Sequence, residues 1–206
     1  MSDDHVEKEE QDIPAVRIES AKTPLRSLID WLVVVVVALG AALLIRVFVF
    51  QQFYISGPSM QTTLFNDNRV LVNKLSYHLH GIHHGDVVVF DRVTTSAGAV
   101  NHDDLIKRVI ALEGDTIEIK KCVVYLNGEA LKENYLNKDD LAQQDLSSRC
   151  RVINMEKKTI PENQIFVMGD NRPESYDSRM FGPIDEDLVV GRAFMVVWPL
   201  NKLGFL

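Results

Sequence analysis

The sequence Ile55-Ser56-Gly57-Pro58-Ser59-Met60 joins a long apolar run to the strand-rich remainder of the chain, and the rest is organised around it. Glycine followed by proline favours a sharp turn that presents the Ser59 hydroxyl. An ordinary surface turn is the simpler interpretation of so short a motif. The position of the motif favours a functional role over an ordinary turn. The chain between Phe50 and Ser59 spans at most about 30 Å even when fully extended, so Ser59 stays near the end of the apolar run. We therefore expect Ser59 to lie close to a membrane surface.

The apolar run covers residues 28–50 and is predicted to be a transmembrane helix. At about 23 residues it is long enough to cross a bilayer, and Asp30 and Arg46 lie near its two ends, where they can reach the headgroups. A cleaved signal peptide is one alternative, but the length, the long acidic leader and the lack of a small-x-small site before Ser59 argue against it. A buried core helix is a second alternative.

Residues 1–27 are dense in acidic side chains and are predicted to form a disordered cytoplasmic tail. Lys22 and Arg26 precede the apolar run, whereas Arg69 is the next basic residue after Arg46. Because basic residues concentrate on the cytoplasmic side, this asymmetry predicts a single-pass protein of the plasma membrane. Its N-terminus would be cytoplasmic, and the domain at residues 51–206 would lie on the outer face.

The charge and cysteine content restrict the partners. The net charge is −7 and the basic residues are scattered, so nucleic acid is not expected as a partner. The two cysteines, Cys122 and Cys150, fit no metal-binding spacing. They would pair if the domain is exported, or remain free thiols, and the sequence does not choose between these.

Segments rich in β-branched residues follow Ser59 and predict a mainly antiparallel β domain. Asn127-Gly128 predicts a hairpin turn. Residues 121–158 are predicted to form a small variable subdomain, with a short helix starting near residues 139–141. The predicted strands are residues 69–75, 86–90, 105–112, 116–120, 123–126, 164–168 and 188–197.

A serine nucleophile needs a base, and Lys107 is a candidate. Burial among apolar side chains would bring the pKa of a lysine toward neutrality. Period-two alternation places Lys107 on one strand face with Leu105 and Val109. Arg108 has equally apolar neighbours, and a lysine at a strand edge can also reach water, so periodicity does not choose between Lys107 and Arg108.

Two polar segments allow further hypotheses. His78, His80, His83 and His84 crowd one loop, but they lack a metal-binding arrangement on a helix, so an exposed loop is expected and no metal site is predicted. The second segment, residues 168–183, is a polar loop after a buried strand. Its side chains could form a hydrogen-bonded scaffold, or the loop could simply lie at the surface.

Several motifs in one order make the chain similar to the type I signal peptidases, the membrane-anchored Ser/Lys endopeptidases that remove leader peptides from exported proteins. The resemblance covers nearly everything after Leu28. The motifs are the apolar span, Ser-Gly-Pro-Ser-Met, Gly-Asp-Val-Val-Val-Phe, Lys-Arg-Val-Ile-Ala-Leu-Glu-Gly-Asp, Ile-Pro-Glu-Asn-Gln-Ile-Phe-Val-Met-Gly-Asp-Asn-Arg, Ser-Tyr-Asp-Ser-Arg-Met-Phe-Gly and the closing Trp-Pro-Leu. The resemblance implies a mainly β fold shared with self-cleaving repressor peptidases, anchored here by one N-terminal helix.

By this resemblance Ser59 is the nucleophile and Lys107 is the general base. A hydrogen bond between Ser175 and the lysine amine is implied, as is a main-chain oxyanion donor at Ser59, with the geometry of Gly57 or a water supplying the second donor. Thr62 stands where many members have proline, which could loosen the turn after the nucleophile. The other implied supporting residues are Asp177, Arg179, Asp170 and Asn171.

The implied substrates are preproteins with small residues at the first and third positions before the cut, entering as an added strand near the protein export machinery. The implied mechanism needs no metal or organic cofactor. A membrane-anchored β binding module without activity and a histidine-cluster metallohydrolase are the alternatives. The side chains expected to line the substrate pockets are Phe53, Ile55, Met60, Leu64, Leu105 and Ile106.

Overall fold

The computed structural model describes residues 24–96, 99–136 and 146–206. The chain divides into two compact units, residues 1–42 and 43–206. The predicted tail up to residue 23 and the helix start predicted near residues 139–141 lie outside the described residues.

The apolar run forms a helix, α1 (Pro24–Phe48), which begins ahead of the predicted start at Leu28. The large apolar side chains described between residues 28 and 43 are exposed. Within the part of the chain that the structure describes, no helix combines the length and apolar character of a membrane span.

The rest of the described chain is mainly strand, and every strand pair is antiparallel, which confirms the predicted fold class. Three one-turn helices interrupt it: α2 (Ser76–Leu79), α3 (Leu146–Arg149) and α4 (Ser178–Phe181). The strands are β1 (Phe50–Tyr54), β2 (Arg69–Asn73), β3 (Val87–Ser96), β4 (Ala99–Ala111), β5 (Thr116–Lys120), β6 (Val123–Leu126), β7 (Glu129–Ala130), β8 (Met155–Thr159), β9 (Gln164–Met168), β10 (Ile184–Asp185), β11 (Val189–Trp198) and β12 (Gly204–Phe205).

The larger sheet has the order β1-β2-β11-β3-β4-β9-β10, with β12 paired to β11. Its central strand β3 contains Val87-Val88-Val89-Phe90, which is buried on both faces. One face covers a core that includes Val87 and Val89, and the other covers a core that includes Val88 and Phe90. This continuous apolar run explains why β3 lies in the interior of the sheet.

Strands β3 and β4 form a long ribbon, paired from Val87 with Arg108 to Ser96 with Ala99. Strand β9 pairs with β4 only from Arg108 onward. Among the described residues, no strand therefore covers the other edge of β4 before Arg108. This leaves an open sheet edge beside Lys107.

The smaller sheet has the order β7-β6-β5-β8, and its strands β6, β7 and most of β8 fall within the predicted variable subdomain. Asn127 and Gly128 both have positive φ in the β6–β7 turn, as the predicted hairpin requires. Cys122 and Cys150 form a disulfide, so of the two alternatives left open by the sequence the cysteines are paired and not free thiols. The disulfide links the two ends of residues 122–150.

Candidate active site

Ser59 lies in a compact turn between β1 and β2. Gly57 enters the turn with a φ of +97°, a left-handed conformation that glycine adopts most easily. The Leu64 amide donates to the Met60 carbonyl at 2.8 Å. From the loop after β9, the Asn171 amide donates to the Ser59 carbonyl and its side chain donates to the Pro58 carbonyl, both at 3.0 Å. These bonds fix the nucleophile turn against that loop.

Lys107, on β4, reaches the same point. Its Nζ donates to Ser59 Oγ at 2.9 Å and to the Ile106 carbonyl at 2.8 Å, and the residue is only 3% exposed. Burial lowers the pKa of Lys107 from 10.5 to about 8, although Asp177 and Asp170 oppose this change. A lysine of this pKa is partly neutral near physiological pH and can then accept the Ser59 proton.

Arg108 has a different environment from its neighbour. It forms a two-point ion pair with Asp170, from Nε at 2.9 Å and from Nη2 at 2.7 Å. A guanidinium keeps its charge in proteins, so Arg108 cannot act as a base. The structure therefore distinguishes Lys107 from Arg108 as the candidate base, which sequence periodicity alone could not do.

Asp177 and Arg179 are buried together at the start of α4, where Asp177 caps the helix. Arg179 binds the carboxylate through Nε and Nη2, both at 2.7 Å, and the Gly169 amide donates to the same carboxylate at 2.9 Å. Burial alone would raise the pKa of Asp177, but the hydrogen bonds and charge of Arg179 hold it below its ordinary value. This charged pair braces the loop behind Lys107.

Gly169 is a close-packing position that the sequence analysis did not single out. A Cβ at residue 169 would lie 2.3 Å from the Ser59 carbonyl oxygen and 2.3 Å from Ser175 Oγ. No side chain fits there without moving the nucleophile turn. Its signal in the sequence is a lone glycine between the buried strand β9 and a polar loop.

Ser175 does not make the hydrogen bond that the resemblance implied. Its buried hydroxyl has no partner in regular hydrogen-bond geometry among the described residues, although it contributes to lowering the pKa of Asp177. Lys107 instead directs its hydrogens to Ser59 and Ile106.

The main-chain donors near Ser59 are arranged for one oxyanion contact. The Gly57 amide is occupied, because it donates to Asn66 Oδ1 at 2.7 Å. No acceptor among the described residues engages the Ser59 amide. The Ser59 amide is therefore available to a developing negative charge, and Gly57 contributes backbone geometry.

A cleft of about 100 Å³ opens beside Ser59 and Lys107. Four predicted pocket residues line it, namely Phe53, Ile55, Leu105 and Ile106. The structure places Met60 and Leu64 elsewhere: both are fully buried in the core because they occupy the inward face of the nucleophile turn. Lining residues that the sequence analysis missed are Tyr54, Ser56, Val89 and Asp104.

Two of the loop histidines lie beside carboxylates. His84 Nε2 is 2.6 Å from Asp115, and His83 Nδ1 is 3.9 Å from Asp86. Within the described ranges, no three metal-ligating side chains are grouped in a way that could hold an ion. The contacts of His83 and His84 are thus ordinary polar contacts with carboxylates.

Comparison with known proteins gives one consistent result. A family model described as signal peptidase, peptidase S26, matches residues 28–198. A signal peptidase IB of Staphylococcus aureus is 34% identical over 187 residues, 87% of this chain and 94% of that protein. A probable signal peptidase I-2 of Synechocystis is 34% identical over 172 residues, 84% of this chain and 72% of that protein. A solved signal peptidase I from Enterococcus faecalis is 30% identical, covers 55% of this chain and 97% of its own, and has a TM-score of 0.42.

Proposed function

Because the chain belongs to the signal peptidase family, peptidase S26, we propose that it cleaves signal peptides from preproteins with Ser59 as nucleophile and Lys107 as general base. The observation that carries the assignment of roles is the 2.9 Å contact between Lys107 Nζ and Ser59 Oγ in a buried setting. This contact joins a hydroxyl to a base whose pKa of about 8 suits proton transfer.

The reaction proceeds in two stages. Neutral Lys107 takes the Ser59 proton while Ser59 Oγ attacks the scissile carbonyl carbon, and the Ser59 amide donates to the oxyanion. The protonated lysine then gives its proton to the departing amine, which leaves an acyl-enzyme. Lys107 next activates a water that hydrolyses this ester and regenerates the serine. Apart from the substrate and this water, the proposed reaction uses only groups of this chain.

The substrate lies as an extended strand along the open edge of β4. Residues 104–107 supply main-chain groups there, and the cleft beside Ser59 receives the side chains that precede the cut. The family resemblance implies small residues at the first and third positions before the cut, and a cleft of only about 100 Å³ is compatible with small side chains.

The supporting residues contact the segments that carry Ser59 and Lys107. Asp170 holds Arg108, Asn171 holds the main chain of the nucleophile turn, and the Asp177–Arg179 pair braces the loop that carries Gly169. Each group fixes the position of Ser59 or Lys107 and does not itself touch the scissile bond.

Type I signal peptidases are generally membrane-associated, and we propose that here the helical part of the predicted run, residues 28–48, crosses the plasma membrane once. Support comes from the length of the apolar run and from the exposed side chains at residues 28–43, which lipid would cover. Lys22 and Arg26, which precede the run, support a cytoplasmic N-terminus, with the catalytic domain on the outer face near the export machinery. Protease added to intact spheroplasts should then digest the catalytic domain, and a protected domain would contradict this topology.

Cleavage of a purified preprotein tests the catalytic assignment. Ser59→Ala and Lys107→Ala should each lower kcat by about 10⁴-fold or more, because each removes a reacting group. Lys158→Ala, an exposed lysine of β8, serves as the matched control and should keep wild-type activity. Cleavage by a folded Ser59→Ala protein would refute the role of Ser59, and loss of wild-type cleavage on adding a chelator would favour the metallohydrolase instead.

A further inference from the structure

A segment of the small subdomain, residues 131–136, packs against the back of the catalytic pair. It follows β7, and its Leu131 packs into the core of the smaller sheet. Glu133 is 7% exposed, although it is charged and belongs to a subdomain with a largely polar sequence. We call these six residues the contact segment. A buried acid needs a partner, and Glu133 finds its partners in Arg172, beside the nucleophile turn, and in Tyr135.

The Tyr135 ring covers Arg108. The guanidinium carbon lies 4.1 Å from the ring centroid, which is a close cation–π contact. Arg108 directly follows the proposed base in β4 and pairs with Asp170. Asp170 in turn accepts a hydrogen bond from Thr63 Oγ1 in the nucleophile turn. Tyr135 thus shields from water an ion pair that links the strand of Lys107 to the turn of Ser59.

Glu133 supports the nucleophile turn through a second arginine, Arg172. It forms a buried ion pair with Arg172, whose Nε also donates to the Gly169 carbonyl at 3.1 Å. Gly169 is the residue packed directly against the Ser59 carbonyl oxygen. The Tyr135 hydroxyl, 3.2 Å from Glu133 Oε1 and 3.3 Å from Arg172 Nη2, completes this group.

The nucleophile turn also binds the contact segment directly. Thr62 Oγ1, three residues beyond the nucleophile, donates to the Tyr135 carbonyl at 3.2 Å. The Cys122–Cys150 disulfide closes the ends of the excursion that carries the segment, and the Arg151 amide donates to the Arg172 carbonyl at 3.2 Å. The segment is therefore held at a fixed place against both halves of the site.

We infer that Tyr135 and Glu133 are positioning residues for cleavage. They act through Arg108 and Arg172 to keep the Ser59 hydroxyl within hydrogen-bond distance of the Lys107 amine. This inference rests on the proposed function. Neither residue lines the substrate cleft. Their removal should therefore impair the chemical step and leave substrate binding unchanged.

Preprotein cleavage by the full-length protein in detergent micelles tests this, with kcat and KM measured separately. Tyr135→Ala should lower kcat about tenfold or more with KM within twofold of wild type, as expected for a displaced reacting group. Tyr135→Phe keeps the ring over Arg108 and the main-chain carbonyl, so it should restore most of kcat. Tyr125→Ala is the matched control, because the Tyr125 ring contacts Lys120 within the smaller sheet, and it should leave kcat unchanged.

Specific outcomes overturn the inference. A folded Tyr135→Ala protein with wild-type kcat refutes it, as does a rise in KM alone or an equal loss in Tyr125→Ala. If Tyr135→Ala does not fold, Thr62→Val decides, because Thr62 is exposed and loses only its hydrogen bond to the contact segment. Thr62→Val should lower kcat about threefold, and an unchanged kcat would then refute the inference. Wild-type protein that cleaves no preprotein would instead contradict the proposed function.

Discussion

Replacing Lys107 with methionine should abolish cleavage and yet stabilise the folded protein at neutral pH. Burial lowers the pKa of Lys107 from 10.5 to about 8, a difference that corresponds to about 3 kcal/mol of unfavourable free energy. Methionine has similar length and no charge, so this penalty disappears. The methionine variant also loses the two bonds to Ser59 Oγ and the Ile106 carbonyl, which cost about 1 kcal/mol each. The expected net gain at pH 7 is therefore about 1 kcal/mol.

The pH dependence of this gain identifies its cause. Well below pH 8, Lys107 is almost fully protonated in both the folded and the unfolded state, so the wild type carries nearly the full penalty. Between about pH 8 and 10.5 the unfolded chain keeps its proton while the folded protein releases it, and wild-type stability rises. The stability difference between Lys107→Met and wild type should therefore be constant at low pH. It should fall by about 3 kcal/mol by pH 10.5.

Urea unfolding in detergent micelles from pH 6 to pH 10.5 measures this difference. Lys158→Met is the control, since Lys158 is exposed and its replacement should shift stability little at any pH. A Lys107→Met difference that does not vary with pH would refute the reasoning, because a buried amine with an ordinary pKa produces no such slope. A variant that gains stability while losing all cleavage would show that the base is retained for chemistry.

Three further predictions concern the site and its frame. In wild type, kcat/KM should rise with pH to a plateau with a midpoint near pH 8, the pKa of Lys107; a flat profile from pH 6 to 9 would contradict this. Gly169→Ala should lower kcat/KM about a hundredfold because its Cβ meets the Ser59 carbonyl oxygen, whereas Gly81→Ala, where nothing lies within 4 Å, should be silent. Cys122→Ser should lower the free energy of unfolding by about 2–4 kcal/mol in chemical denaturation, and an unchanged value would show that the disulfide adds no stability.

The sequence predicted the strands whose period-two pattern coincides with burial. β5 and β6 follow the prediction at both ends, since apolar and polar side chains alternate there or precede a glycine turn. The prediction stopped β3 at Phe90, although the strand continues to Ser96. The side chains described at residues 91–94 and 99–104 are half-buried or exposed, and most of them are polar, so the hydrophobic pattern that marks a strand is lost there.

The site could be predicted in part. The serine and a nearby lysine were recognisable from their motifs, but the choice of Lys107 over Arg108 depends on Asp170, which is 62 positions away in sequence. The Thr62 position shows the same limit. A threonine where many relatives have proline suggested a looser turn, whereas in the structure its hydroxyl binds the Tyr135 carbonyl. Contacts between distant segments leave no local pattern.

Under the proposed topology, the disulfide between Cys122 and Cys150 would also affect when the protein can become active. Thiols in the cytoplasm are kept reduced, so a newly made copy would lack this bond until its domain had been translocated. Under the proposed topology, oxidation on arrival would complete the support that the small subdomain gives to the active site. A peptidase assembled in this way would stay weak toward chains that have not yet left the cell.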